Sequence, residues 1–228
     1  MQNTTLTTRT RLWASFHLPR RLPNGQMAIM FTDIEGSVAM TRRLGDAHAH
    51  EVLRRHNAIV RAELAAHGGI EVKHTGDGFL AAFPSASAAV RCALAIQTGL
   101  DAAVDETEGI RVRIGINVGT PVVERGDIFG LAVQTAARLC AAGEAGGILV
   151  SRIVRDLIAG CDVRLEPACA TMKGFEAPMP VYAVSSGQNC EANASCSSTT
   201  PTRSIGAINK RGSTLLGNRR SPRPQPLA

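Results

Sequence analysis

Met27-Ala-Ile-Met-Phe-Thr-Asp-Ile-Glu-Gly-Ser37 is the stretch where both the fold and the chemistry of this chain first become legible. An apolar run of strand character, Met27 to Phe31, ends in an acid, Asp33, and Gly36 and Ser37 follow at once. A carboxylate at the tip of a buried strand, beside a turn whose N–H groups face outward, suits a cation carrying phosphates. The ion neutralises acid and phosphate together, while amides opening the next helix hold anionic oxygens. The plainer role for Asp33 is to cap that helix. This segment alone leaves both roles open.

A second segment bears on the choice. Val72-Lys-His-Thr-Gly-Asp-Gly-Phe-Leu-Ala-Ala-Phe83 reads as two short strands joined at Gly76-Asp77-Gly78, and Asp-Gly is a strong hairpin signal. By itself Asp77 is a turn residue. Two acids at the tips of neighbouring strands, however, can share a pair of magnesium ions. Magnesium favours one or two carboxylates plus substrate phosphates over a full protein cage.

Periodicity extends the pattern outward. Gln26–Thr32 reads as a strand, and Ser37–Gly45 and Ala47–His67 as helices, the second with Val52, Leu53, His56, Ile59, Val60, Glu63 and Leu64 at helical spacing. The hairpin pairs 70–75 with 79–83, Ser85 caps an alanine-rich helix ending near Ala103, and 110–118 alternates as a strand. Residues 122–124 read as a short strand, 131–142 as a helix, 148–151 as a strand and 152–159 as a helix; short strands near 161–165, 168–172 and 180–184 follow. The fold class is therefore α/β (α+β), and the opening order β-α-β-β-α-β defines a ferredoxin-like core. That fold hosts many chemistries and names none.

Composition sorts the chain into three regions. The net charge of +6 comes from the ends: residues 1–25 carry +4 and residues 186–228 carry +5, which leaves −3 on the 160 residues between. Residues 1–25 are expected to be a basic, disordered extension or a misassigned start, since they have transit-peptide composition without a secretory apolar core. Residues 26–185 are expected to form the folded domain. Residues 186–228 are rich in Ser, Thr, Asn, Arg and Pro, and read as a disordered tail. No apolar run is long enough to span a membrane. The six cysteines form no Cys-x-x-Cys pair; Cys92 and Cys140 read as small core residues, and a reducing cytoplasm is the expected location. His48, His50 and His56 share one predicted helix, and we read them as a solvated face rather than a metal cluster.

Four motifs in order carry a family resemblance. Phe31-Thr-Asp-Ile-Glu-Gly-Ser37 and Lys73-His-Thr-Gly-Asp-Gly-Phe79 resemble the two metal-binding motifs of class III nucleotidyl cyclases. Gly126-Asp-Ile-Phe-Gly-Leu-Ala-Val-Gln-Thr-Ala-Ala-Arg-Leu139 resembles that family's transition-state helix, and Met172-Lys-Gly-Phe-Glu-Ala-Pro-Met-Pro-Val-Tyr-Ala-Val184 its closing segment. The resemblance implies an adenylate cyclase, in which the ribose 3′-oxygen of ATP attacks the α-phosphate. It further implies two Mg²⁺ (or Mn²⁺) ions per site, held by Asp33 and Asp77 with help from the Ile34 carbonyl. The amides of Glu35, Gly36 and Ser37 would meet the triphosphate, and Lys173 its terminal phosphates. Arg138 would stabilise transition-state charge.

Base choice follows from hydrogen-bond polarity. Adenine presents an acceptor at N1 and a donor at N6, and guanine reverses both. A lysine donor beside an aspartate acceptor fits adenine, and Lys73 and Asp127 occupy the family's base-reading positions. Gln134 is the departure: the family usually has asparagine there, one helical turn before Arg138. The extra methylene moves the amide by on the order of 1 Å, a displacement that costs around a hundredfold in rate. The family's metal-binding and base-reading sets face each other across a dimer interface, so a chain holding both implies a head-to-tail homodimer.

Three other readings compete. Gln134 allows a catalytically silent cyclase-homology domain that binds nucleotide or a partner. The clustered arginines of the tails allow nucleic-acid or anionic-membrane binding, although only Trp13 and Phe16 supply aromatic interleaving. Guanylate cyclase is the nearest enzymatic alternative, and Lys73 with Asp127 argues against it. No sensor or output domain is recognisable beside the catalytic motifs.

Overall fold

Met27–Ile34 (β1) is buried on both faces, which is why its sequence reads as a continuous apolar run rather than an alternation. Ala28, Met30 and Ile34 pack into one core, and Met27 and Ile29 into another on the opposite side, with Phe31 against them. The fold is that of a computed structural model describing residues 25–170 and 179–186. Ser37–Leu44 (α1) and Asp46–Ala66 (α2) follow β1, then Ile70–His74 (β2), Gly78–Phe83 (β3), Ala86–Ala102 (α3) and Val112–Gly119 (β4). Val122–Glu124 (β5), Asp127–Phe129 (β6), Leu131–Ala142 (α4), Ile148–Ser151 (β7), Arg152–Leu157 (α5), Val163–Ala170 (β8) and Met179–Ser186 (β9) complete it.

The seven-stranded sheet runs β2-β3-β1-β4-β7-β9-β8, and each neighbouring pair among its first four strands is antiparallel, in the ferredoxin-like order. Helices α2 and α3 cover one face; α4 and the β5–β6 hairpin cover the other. Phe79 and Phe83, both fully buried beneath α2 and α3, each contribute about 1.5–3 kcal/mol through burial. The expected mixed α/β class and the β-α-β-β-α-β order are both present.

One glycine sets the approach of the strand tips. A Cβ on Gly78 would sit 2.3 Å from the Thr32 carbonyl oxygen. Only a residue without a side chain lets β3 begin that close to β1. The register then pairs Asp33 with Gly78, so Asp77 arrives alongside Asp33.

Four details differ from the sequence reading. The strand opening the chain reaches Ile34, two residues further than expected, so Asp33 lies within the ladder. The strands expected near 161–165 and 168–172 are one strand, β8, which runs through Pro167. β8 is the sheet's edge, where a residue without an N–H is tolerated. Residues 127–129, to which the sequence reading assigns no element, form β6: Arg125 and Gly126 both have positive φ (50° and 81°) and close a two-residue hairpin onto β5.

His56 is the fourth correction. It is fully buried, whereas His48 and His50 are exposed as expected. The Asn57 side-chain oxygen lies 3.0 Å from His56 Nδ1 and 3.3 Å from His74 Nε2, while His56 Nε2 is buried without a partner among the described residues. Burial pushes the ring down to about 4, far below its ordinary value. The unfolded chain therefore takes up this proton more readily, and the fold loses stability as pH falls from about 6.5 towards 4, by about 3 kcal/mol in total from this group. His56→Leu, similar in volume, is expected to flatten that part of the acid limb. Thermal unfolding of both proteins between pH 7 and 4 checks it; parallel curves would refute the assignment.

Cys92 and Cys140 are buried, as expected of small core residues, and burial pushes both thiols up to about 12.

Candidate active site

The alternation along β1 decides which way Asp33 points. Met27, Ile29 and Phe31 pack towards α4 and the hairpin, so Asp33 shares their face, while Ile34 turns its side chain into the opposite core. Asp33 lies opposite Gly78 on one side and Arg113 of β4 on the other. The Ile34 N–H donates to the Asp77 carbonyl oxygen at 3.2 Å, which stitches the β2–β3 turn to the end of β1.

Both carboxylates are already engaged by the chain itself. The Arg113 guanidinium pairs with Asp33. The Ser37 hydroxyl donates to Asp77 Oδ2 at 2.6 Å. The carboxylate beside it holds Arg113 above its usual range, and Arg113 Nε is buried with its hydrogen unspent among the described residues. Sequence reasoning missed Arg113. Its signal was the alternation of 110–118, which sets Val112, Ile114, Ile116 and Val118 inward and Arg113 on the other face; the register against Asp33 is a tertiary fact.

The donor set fits a hard divalent ion. It offers two half-buried carboxylates and backbone carbonyl oxygen, with no sulfur or imidazole. Among the described residues no group of three or more His, Cys, Asp or Glu side chains converges. Any ion here would complete its shell from phosphate and water, which is the habit of Mg²⁺.

Of the three amides assigned to the triphosphate, one is taken. The Glu35 N–H donates to the Arg111 carbonyl at 2.9 Å, so Glu35 does not offer its amide to a phosphate in this arrangement. The amides of Gly36 and Ser37, at the start of α1, are the candidate anion donors that this leaves.

Lys73 and Asp127 come together as an ion pair, β2 to β6. The Ile128 N–H also donates to Asp127 Oδ1 at 2.8 Å, fixing the carboxylate at the base of the hairpin. Burial works to raise the Asp127 carboxyl, but the Lys73 ammonium and that N–H outweigh it and hold it below its usual value. No hydrogen bond or ion pair among the described residues joins this pair to Asp33 or Asp77. On α4, Gln134 is exposed and Arg138 half-buried. Lys173 and the two basic ends, with Trp13 and Phe16, lie outside the described residues.

A cleft of about 450 Å³ lined by Asn117, Thr120, Leu131, Thr135, Ser151 and Ile153 opens at the far end of β4. Its nearest lining residue on β4, Asn117, is about 13 Å along the strand from Arg113, so this apolar cleft is separate from the acid pair.

The profile of the adenylate and guanylate cyclase catalytic domain matches residues 21–186. This chain belongs to that family. The cyclase domain is 33% identical over 162 residues to an adenylate cyclase of Mycosarcoma maydis, covering 59% of this chain and 6% of that protein. It is 31% identical over 160 residues to a putative adenylate cyclase 3 of Rhizobium meliloti, covering 68% of this chain and 27% of that one. The chain thus spans well under a third of either relative. A crystal structure described as an adenylate/guanylate cyclase/hydrolase from Silicibacter pomeroyi superposes with a TM-score of 0.60 at 36% identity, covering 69% of this chain and 95% of that one. The chain therefore carries a class III nucleotidyl cyclase domain. Among the described residues no helix is long and apolar enough to cross a membrane.

Proposed function

We propose that the chain is an adenylate cyclase, converting ATP to 3′,5′-cyclic AMP and pyrophosphate at two composite sites of a head-to-tail homodimer in the cytoplasm. The observation that carries the choice of purine is the Lys73–Asp127 pair: a donor and an acceptor side by side, matched to N1 and N6 of adenine. Guanine would set donor against donor and acceptor against acceptor. Binding adenine replaces one charged contact with two directional hydrogen bonds.

Asp33, Asp77 and the Ile34 carbonyl would hold two Mg²⁺ or Mn²⁺ ions. Once bound, the ions supply Lewis-acid stabilisation of the attacking ribose oxygen and of the leaving pyrophosphate. Arg113 would leave Asp33 and become a cation for the phosphates. The Gly36 and Ser37 amides, with Lys173, would orient the triphosphate, so that the 3′-hydroxyl oxygen forms its bond to the α-phosphorus as the bond to the bridging oxygen breaks, pyrophosphate leaves and the hydroxyl proton passes to solvent. Arg138 and Gln134 of the partner copy would face the α-phosphate. Val122 and Phe129, paired across the hairpin, and Leu131 at the start of α4 are exposed at 62%, 46% and 68%, and a second copy would cover them.

Gln134 favours a second reading, in which the domain binds nucleotide without turnover. Assaying the purified protein with ATP and GTP, each with Mg²⁺ or Mn²⁺, separates the two. Cyclic AMP from ATP, with GTP a poor substrate, is the expected result. Gln134→Asn is expected to raise the rate by up to a hundredfold by restoring the shorter amide. Absence of product from both proteins with manganese would establish the silent reading; cyclic GMP as the main product would overturn the base assignment.

A further inference from the structure

The two acids are held in chemically different ways, and the difference falls on Ser37. Asp33 is held by a cation, Arg113. Asp77 is held by a neutral hydroxyl, that of Ser37, at 2.6 Å across 40 residues of sequence.

Other serines at helix starts in this chain behave differently. Ser85 and Ser151 are N-caps, and their hydroxyls accept from N–H groups of their own helices, from Ala88 at 3.1 Å and Val154 at 3.4 Å. Ser37 stands one position further in. The N-cap of α1 is Gly36, in the left-handed region at φ 64°, and it has no side chain to cap with. Ser37 is therefore free of local capping duty, and its hydroxyl donates outward to the β2–β3 turn. Together with the Ile34 N–H on the Asp77 carbonyl, it grips both the backbone and the side chain of Asp77 from the β1–α1 segment.

We propose that Ser37 is a positioning residue that presents the Asp77 carboxylate to divalent ions. This rests on the reading above that Asp33 and Asp77 hold those ions. The physical distinction is one of charge. A guanidinium sets a positive charge against any metal ion on the same carboxylate, so the Arg113 contact opposes entry of an ion at Asp33. A hydroxyl takes one lone pair of Oδ2 and leaves Oδ1 and the remaining Oδ2 lone pair for coordination. The Ser37 contact therefore persists in the loaded site, where it fixes a side chain that sits on an exposed turn and would otherwise sample several rotamers. Outer-shell donors of this kind typically account for 10- to 100-fold in metal affinity.

The test uses the full chain, with Mn²⁺ as the probe in the presence of α,β-methylene-ATP, which cannot cyclise. Free Mn²⁺ is followed by electron paramagnetic resonance. Ser37→Ala is expected to weaken Mn²⁺ binding by about 10-fold or more, and Ser37→Thr, which keeps the hydroxyl, to bind as the wild type does. In the cyclase assay the half-saturating Mn²⁺ concentration shifts upward by the same factor. Wild-type Mn²⁺ affinity in Ser37→Ala would overturn the proposal. Equal losses in Ser37→Ala and Ser37→Thr would also overturn it, by assigning the effect to packing at the start of α1. Failure of the wild-type chain to bind Mn²⁺ at all removes the parent reading and this one together, and is distinguished from the first two outcomes because it appears before any substitution. A melting curve on each variant confirms that folded proteins are being compared.

Discussion

Asp33→Ala chains and Arg138→Ala chains, each inactive alone, are expected to make cyclic AMP when mixed in equal amounts, at about one quarter of the wild-type specific activity. The figure follows from the symmetry proposed for the dimer. Random exchange makes half of the dimers mixed, and a mixed dimer has one doubly damaged site and one intact site. Each defect is severe by itself. Asp33→Ala removes one of the two acids beside the strand tips and leaves the Arg113 cation without its partner. Losing the transition-state donor proposed at Arg138 would cost on the order of 10²–10³ in kcat. Complementation needs acids from one copy and α4 from the other, so it responds to assembly and not merely to residue identity. Light scattering establishes that each variant still dimerises. If both dimerise and mixing restores nothing, the shared-site arrangement is wrong and each chain must work alone.

The ferredoxin-like core was legible because its signals are local. Continuous apolarity marked β1 as doubly buried, Asp-Gly marked the β2–β3 hairpin, and Ser85 marked the start of α3. The placement of Asp33 at a strand tip followed from the same run. What escaped were facts set by register or by three-dimensional neighbours. Arg113 meets Asp33 only because β1 and β4 pair in one register out of several. The Glu35 amide is spent on a carbonyl 76 positions away in sequence, at Arg111. β6 is three residues long, too short for any period to show, although its Arg-Gly turn carried the two positive-φ positions that a tight hairpin needs. His56 fell on the apolar stripe of α2, but a titratable ring there was read as solvated; only packing against Phe79 shows that it is enclosed.

Gly115→Ala is expected to cut turnover by about a hundredfold while costing about 1–3 kcal/mol of stability. Gly115 lies on β4 directly beneath α4. A Cβ there would sit 2.1 Å from the Cys140 nitrogen, 2.4 Å from the Ala136 carbonyl oxygen and 2.8 Å from the Cys140 Cα. All three are backbone atoms, so no side chain can rotate out of the way. The helix itself must lift, by on the order of 1 Å, before ordinary contact distances are regained. Gln134 and Arg138 ride on that helix, and a shift of this size at the transition-state donors proposed there would bring a large rate loss. The loss should therefore appear mainly in kcat, with KM for ATP nearly unchanged, because Lys73 and Asp127, the proposed base readers, lie off α4. Gly99→Ala supplies the contrast. Its added methyl meets only the Ile59 Cγ2 methyl at 3.0 Å, between α2 and α3. Gly99 lies in the last turn of α3, where alanine removes a helix-propensity cost of up to about 1 kcal/mol, so Gly99→Ala is expected to keep wild-type turnover. Calorimetric melting and steady-state kinetics on both variants, run well below either transition, separate misplacement from unfolding. If Gly115→Ala keeps full kcat, the reaction does not depend on the seating of α4, and the roles given to Gln134 and Arg138 fall with it.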